Sequence, residues 1–151
     1  MGHDPMSVVD VADYFGGMGQ AGGRLFLLFC DGALAGDADF RHVEESHAEF
    51  AIMIGARSGQ GKGLGTRFAL MLHAFAFREL GLARVYVTIL KENAASRRLF
   101  EKLGYTLDAS ATARGFADHE DDVAMSIGRD EFERAQADVL SSIRMVALSA
   151  P

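Results

Sequence analysis

The stretch SGQGKGLGTRF, residues 58–68, places glycine at 59, 61, 63 and 65, directly before an apolar run with helical spacing. Glycine in such a position costs backbone entropy, so a partner that needs bare backbone at close range is expected there. A helix N-terminus offers unpaired N–H groups and a favourable dipole, which makes phosphate the first candidate. Downstream, Leu64, Phe68, Met71, Leu72, Phe75 and Leu80 recur at three- and four-residue steps, which predicts a helix from about Leu64 to Leu80 with one buried face. Upstream, HAEFAIMIG (47–55) reads as a strand. The glycine turn therefore joins a strand to a helix.

Working outward, RLFLLFC (24–30) and ALAGDADFRH (33–42) read as two strands joined by Asp31-Gly32, a strong signal for a tight hairpin turn. ARVYVTIL (83–90) is a strand with apolar residues on both faces, as in a central position. Asn93 is a good N-cap for AASRRLFEKL (94–103), and Gly104 closes that helix. YTLDASAT and DDVAMSIG read as an antiparallel pair, joined by the polar loop ARGFADHED. The tail is expected to form a helix over about 129–147, with Asp130 and Glu133 as a capping box and Phe132, Ala135, Val139, Ile143 and Val146 as its apolar stripe. Residues 7–15, SVVDVADYF, are expected to form a short helix before the glycine-rich GGMGQAGG. The order predicts an α/β (α+β) fold, one mixed sheet with helices packed on it.

Composition narrows the function classes. The chain has 151 residues, 49% of them hydrophobic, enough for one compact domain. Fifteen basic and 21 acidic residues give a net charge of −6, which argues against nucleic acid or an anionic membrane as partner and suits a cationic substrate. Cys30 is the single cysteine, which excludes an internal disulfide; its apolar surroundings predict a buried, inert thiol. No His/Cys/carboxylate spacing points to a metal. The N-terminus lacks the basic start and apolar stretch of a signal peptide, and FALMLHAFAF (68–77) is too short to span a bilayer, so a cytoplasmic location is expected.

Two phosphate-binding motifs fail on the glycine turn. A dinucleotide G-x-G-x-x-G starting at Gly61 needs glycine where Thr66 stands, and a P-loop ending at Lys62 needs glycine at Ala56 and a hydroxyl at Gly63. Gln60-Gly61-Lys62-Gly63-Leu64-Gly65 instead satisfies Q/R-x-x-G-x-G/A. With its flanking strand and helix, this run resembles the acetyl-CoA pyrophosphate loop of the GNAT family of N-acetyltransferases. The resemblance continues from Ala48 to Tyr105, through RVYVTIL and Asn93 to EKLGY, and extends upstream to about residue 24 and downstream to DDVAMSI (121–127). It is closest to the polyamine- and ribosomal-protein-modifying branches.

The resemblance implies a single acetyltransferase domain over 1–151, a cofactor-binding core over about 48–105, two central parallel strands that splay apart, a shortened N-terminal part and an extra C-terminal helix. It implies acetyl-CoA as acyl donor, with the amides of Gln60, Gly61, Lys62, Gly63, Leu64, Gly65 and Thr66 on its diphosphate. Ile52, Met53, Ile54 and Asn93 would receive the pantetheine arm, which resembles a peptide and can pair with a strand edge. Arg97 and Arg98 are candidates for the nucleotide phosphates, or simply exposed helix arginines. The acceptor would be a primary amine: a polyamine, a protein N-terminus or a similar small amine. Such an amine has a pKa of about 10 and arrives protonated, so a base is needed. Glu49 stands where relatives place a catalytic glutamate, with His47 and His119 as weaker candidates. Asp118, Glu120, Asp121 and Asp122 form an acidic cluster that either faces the acceptor or is a solvated turn.

Two departures qualify the resemblance. Phe100 replaces the tyrosine that many relatives use to protonate the leaving thiolate, which opens an alternative: a weak or inactive acyl-CoA-binding regulatory module. Tyr105 takes a position where relatives usually carry a core phenylalanine. With few residues before RLFLLF, either the first strand is missing and the acceptor groove open, or a partner subunit completes it. The C-terminal helix either covers the sheet or forms a homodimer contact.

Overall fold

The computed structural model describes residues 6–10, 23–55 and 63–143. Strands β1 (Met6–Asp10), β2 (Arg24–Cys30), β3 (Ala33–Glu44), β4 (His47–Ile54), β5 (Arg84–Ile89), β6 (Thr106–Leu107) and β7 (Val123–Gly128) form one sheet in the order β1-β2-β3-β4-β5-β7-β6. Every neighbouring pair is antiparallel except β4 and β5. The helices are α1 (Leu64–Arg78), α2 (Ala94–Leu103), α3 (Ala111–Gly115), α4 (Arg129–Ala135) and α5 (Ala137–Leu140).

Alternation along the strands sends Phe26, Leu28, Ala38, Phe40, Ala48, Phe50, Val85, Val87, Ile89, Met125 and Ile127 into one core, where they meet Phe68, Leu72, Ala76 and Phe77 of α1. The central β5 is buried on both faces over most of its length, since Tyr86 is also only 9% exposed. Asp31 and Gly32 both adopt positive φ (53° and 80°), as the β2–β3 hairpin requires.

Several expectations are corrected. The N-terminal segment is no helix at residues 6–10 but strand β1, paired with β2 from Met6↔Cys30 to Asp10↔Phe26; residues 11–15 lie outside the described residues. Its adjacent valines favour a strand, and β2 would otherwise present an unpaired edge. The first strand is therefore present. The segment after Tyr105 makes a strand of only two residues, because Ser110 starts α3 by accepting the Ala113 amide (3.2 Å). Cys30 is half-buried rather than buried.

The tail helix breaks at Gln136. Its Nε2 donates to the carbonyls of Lys102 (3.0 Å) and Leu103 (3.1 Å), satisfying acceptors that the end of α2 leaves open. That inward turn buries Leu140 and leaves Ala135 and Val139 outside, against the expected stripe, while residues 144–147 lie outside the described residues. The helix starts at Arg129 as expected, but its cap is not the Asp130–Glu133 box. Glu131 Oε1 accepts the Gly128 amide (2.7 Å), and Glu133 pairs with Arg129 instead of capping.

Candidate active site

The parallel pair β4·β5 is short. His47↔Arg84, Ala48↔Val85 and Glu49↔Tyr86 are register partners, and beyond them the strands part. β4 continues along β3 to Gly36↔Ile54, whereas β5 continues along β7 to Ile89↔Val123. Ile52 and Met53 thus have strand partners on the β3 side and, among the described residues, none on the β5 side. The result is a fork whose apex is Glu49 and Tyr86.

Two features make the fork fit a peptide-like arm. At Ile52 and Met53 the edge of β4 has no strand beside it among the described residues, which suits added backbone pairing. Thr88, two residues past the apex on β5, has a buried hydroxyl oxygen with no partner among the described residues, and a buried polar atom of this kind needs a bonding group from somewhere. Gly36 holds the geometry from behind: a Cβ there would collide with the Met53 carbonyl, so β3 approaches β4 as closely as it does only with glycine.

The helix start closes one end of the fork. Gly63 caps α1 with φ 75°, in open space, without a side-chain cap, and no acidic residue occupies the first turn. The amides of Leu64, Gly65 and Thr66 have no helical acceptor there, which favours an anion. A Cβ at Gly65 would lie 3.1 Å from Leu99 Cδ1 and 3.5 Å from Ile54 Cγ1, so the end of β4, the start of α1 and the middle of α2 converge at this point. Gln60, Gly61 and Lys62 lie outside the described residues. Leu64 is a core side chain and offers only its amide; Thr66 is half-buried. Among the strand residues, Ile52 and Ile54 pack against the core, and Met53 is 69% exposed.

Asn93 caps α2, its Oδ1 accepting the Ser96 amide (3.0 Å), which leaves its NH₂ outside that bond. Arg97 is held by Glu101 on its own helix (3.2 Å), and Arg98 is exposed. Phe100 is buried in the core against Phe50 and Tyr105 (centroids 6.1 and 5.1 Å).

At the apex, the Glu49 side chain is 14% exposed and its Oε1 accepts His42 Nδ1–H at 2.9 Å. Arg41, the register partner of Glu49, forks onto both oxygens of Asp39 (2.7 Å each), and this hydrogen bonding raises its pKa further above the ordinary arginine value. A row of rings runs beside the apex: His42 stacks on Phe116, which meets Tyr86, the register partner of Glu49, which meets His47 (centroids 5.6, 5.5 and 5.7 Å). His42, Tyr86 and Phe116 were not legible as site residues. Tyr86 alone left a signal, as the outward residue of β5 level with Glu49.

Of the other base candidates, His47 lies two residues before Glu49 on the same face of β4, against Tyr86 and near Glu44 (3.7 Å), and His119 is exposed beside Asp122 (3.7 Å). The acidic cluster divides. Asp122 is buried and accepts the amides of Asp118 and His119 (3.1 and 3.0 Å), and Asp121 pairs with Lys91 (3.2 Å).

A mixed sheet whose one parallel pair splays apart, with a glycine-started helix at the open end, is the arrangement that the resemblance implies. The chain belongs to the GNAT family: residues 2–106 match the family model described as "Acetyltransferase (GNAT) domain". Spermidine N(1)-acetyltransferase of Escherichia coli K12 is 36% identical over 87 residues, 56% of this chain and 46% of that protein. An N-acetyltransferase 9-like protein of Caenorhabditis briggsae is 41% identical over 63 residues, 41% of this chain and 32% of that one. The chain thus spans about half, or less, of the curated relatives it matches. Campylobacter jejuni N-acetyltransferase PseH shares the fold with TM-score 0.67 at 14% identity, covering 83% of this chain and 99% of that one. Vibrio cholerae spermidine N-acetyltransferase, solved with CoA and spermine, gives TM-score 0.63 at 23% identity over 73% and 68% of the two chains. Among the described residues no helix is long and apolar enough to cross a membrane.

Proposed function

We propose that this chain is an acetyl-CoA-dependent N-acetyltransferase that acetylates a primary amine, with a polyamine as the favoured class. The observation that carries the reading is the fork at Glu49 and Tyr86, which puts a largely enclosed carboxylate where an open strand edge begins. The amides of Gly63 to Thr66, continuing the Gln60–Lys62 run, would hold the diphosphate. Ile52, Met53 and the NH₂ of Asn93 would receive the arm. Acetyl-CoA supplies an activated acyl group as a thioester.

Glu49 is the base in this reading. The acceptor arrives as an ammonium, attracted by the carboxylate and by the ring faces of Tyr86 and Phe116. Glu49 removes one proton, and the freed lone pair attacks the thioester carbonyl. CoA thiolate then leaves without a tyrosine at position 100, since the Phe100 ring carries no proton and lies in the core. A polyamine suits the apex because the Arg41 guanidinium, although it also feels Glu49, makes its hydrogen bonds to Asp39, so the Glu49 carboxylate is left without an arginine hydrogen bond. The similarity to spermidine N(1)-acetyltransferase supports the same choice.

The test is CoA release from acetyl-CoA with a panel of polyamines, peptides and small amines, beside calorimetric binding of acetyl-CoA. Release with spermidine, lost in Glu49→Gln while acetyl-CoA affinity is kept, is the expected result. Tight binding with no release on any amine would favour the regulatory-module reading, to which buried Phe100 gives its support.

A further inference from the structure

We infer that His42 is a positioning residue for Glu49, placed there by a bulge in β3. The inference rests on the reading of Glu49 as base.

β3 and β4 pair regularly up to Arg41↔Glu49, and the next partners are Glu44↔His47. Two residues of β3 therefore lie opposite Ala48 alone, which defines a bulge. His42 sits in it with φ 52°, a left-handed conformation that few non-glycine residues adopt and that histidine, like asparagine and aspartate, enters more readily than most. Regular alternation would turn His42 to the side of Phe40, into the core, whereas the bulge turns it to the side of Arg41 and Glu49. The re-aimed ring is then fixed at two points, by Nδ1 on Glu49 Oε1 (2.9 Å) and by its stack on Phe116 (20° between planes).

An ionised carboxylate only accepts, so the hydrogen bond requires the Nδ1–H tautomer. The pair does little for stability, because the His42 side chain is 63% exposed and an exposed contact of this kind contributes little. A bulge that re-aims a side chain for so little folding energy is explained by what it orients. His42 holds one oxygen of Glu49, which directs the other at the amine.

Two variants and one spectrum test this. His42→Gly relieves the positive φ and removes the imidazole; it is expected to fold at least as well as the wild type. Its kcat for the amine should fall about 10- to 100-fold, the usual scale for a misplaced catalytic group, with KM for acetyl-CoA unchanged. His42→Gln, which keeps an N–H donor, should recover part of the loss, and the Glu49→Gln/His42→Gly double variant should be no slower than Glu49→Gln. Independently of turnover, long-range ¹H–¹⁵N spectra should show His42 as the Nδ1–H tautomer in wild type and not in Glu49→Ala, which leaves Nδ1 no acceptor there. Wild-type kcat in His42→Gly, while Glu49→Gln is inactive, overturns the inference and leaves the base standing. Full activity in Glu49→Gln overturns both, and an Nε2–H tautomer in wild type overturns the His42 contact itself.

Discussion

Tyr105 and His73 share a hydrogen bond inside the core, with the tyrosine hydroxyl as donor. His73 Nδ1 lies 2.7 Å from the Ala69 carbonyl, which only accepts, so Nδ1 carries the proton and Nε2 receives the Tyr105 O–H. Both side chains are buried, at 0% and 3% exposure. The unusual tyrosine of EKLGY thus answers the histidine that interrupts the apolar run of α1. Tyr105→Phe restores what relatives usually carry but strands Nε2, and it should destabilise the fold by about 1–3 kcal/mol. Urea unfolding checks this, with acetyl transfer by the folded fraction unchanged.

The same pair predicts acid sensitivity. Burial holds the pKa of His73 down at about 4, against 6.5 for the free group. Between these values the unfolded chain binds a proton that the folded chain refuses, so stability is complete above about pH 6.5 and falls as the pH drops towards 4. The full loss from this group is on the order of 3 kcal/mol. Chemical denaturation at pH 7, 6, 5 and 4 should show the decline, and His73→Leu with Tyr105→Phe should flatten it.

The elements were legible where local chemistry decides them. The Asp31-Gly32 turn, the Asn93 cap and the periodic face of α1 are short-range signals, and each forms as read. The fork was reached only through resemblance, because where two strands stop pairing depends on neighbours far away in sequence. β1 and the break at Gln136 were missed for the same reason: an open edge of β2 and the unsatisfied end of α2 called them in. His42 was hidden by alternation itself, since an extra residue in β3 reverses the face on which everything up to the bulge's end is counted.

Gly36 is expected to be intolerant of a single added methyl. The obstacle is backbone, the Met53 carbonyl, and no rotamer change removes it. Gly36→Ala must push β3 from β4 at the very stretch that lines the fork, with a cost of about 1–3 kcal/mol. Calorimetry should find acetyl-CoA affinity reduced along with the melting temperature. Intact affinity in the variant would mean that this stretch of β4 does not receive the arm.

Asn93 allows its two roles to be separated. As a cap it needs only a side-chain oxygen for the Ser96 amide, and serine serves there as well as asparagine. As a ligand residue it needs the carboxamide NH₂, which serine lacks. Asn93→Ser should therefore keep the melting temperature and weaken acetyl-CoA binding, by about 1 kcal/mol for one lost hydrogen bond. Asn93→Ala should lose both, with a further ~1 kcal/mol from the missing cap. Parallel thermal melts and titrations of the two variants decide the matter: if Asn93→Ser binds acetyl-CoA as the wild type does, Asn93 is a helix cap and the arm is held by β4 alone.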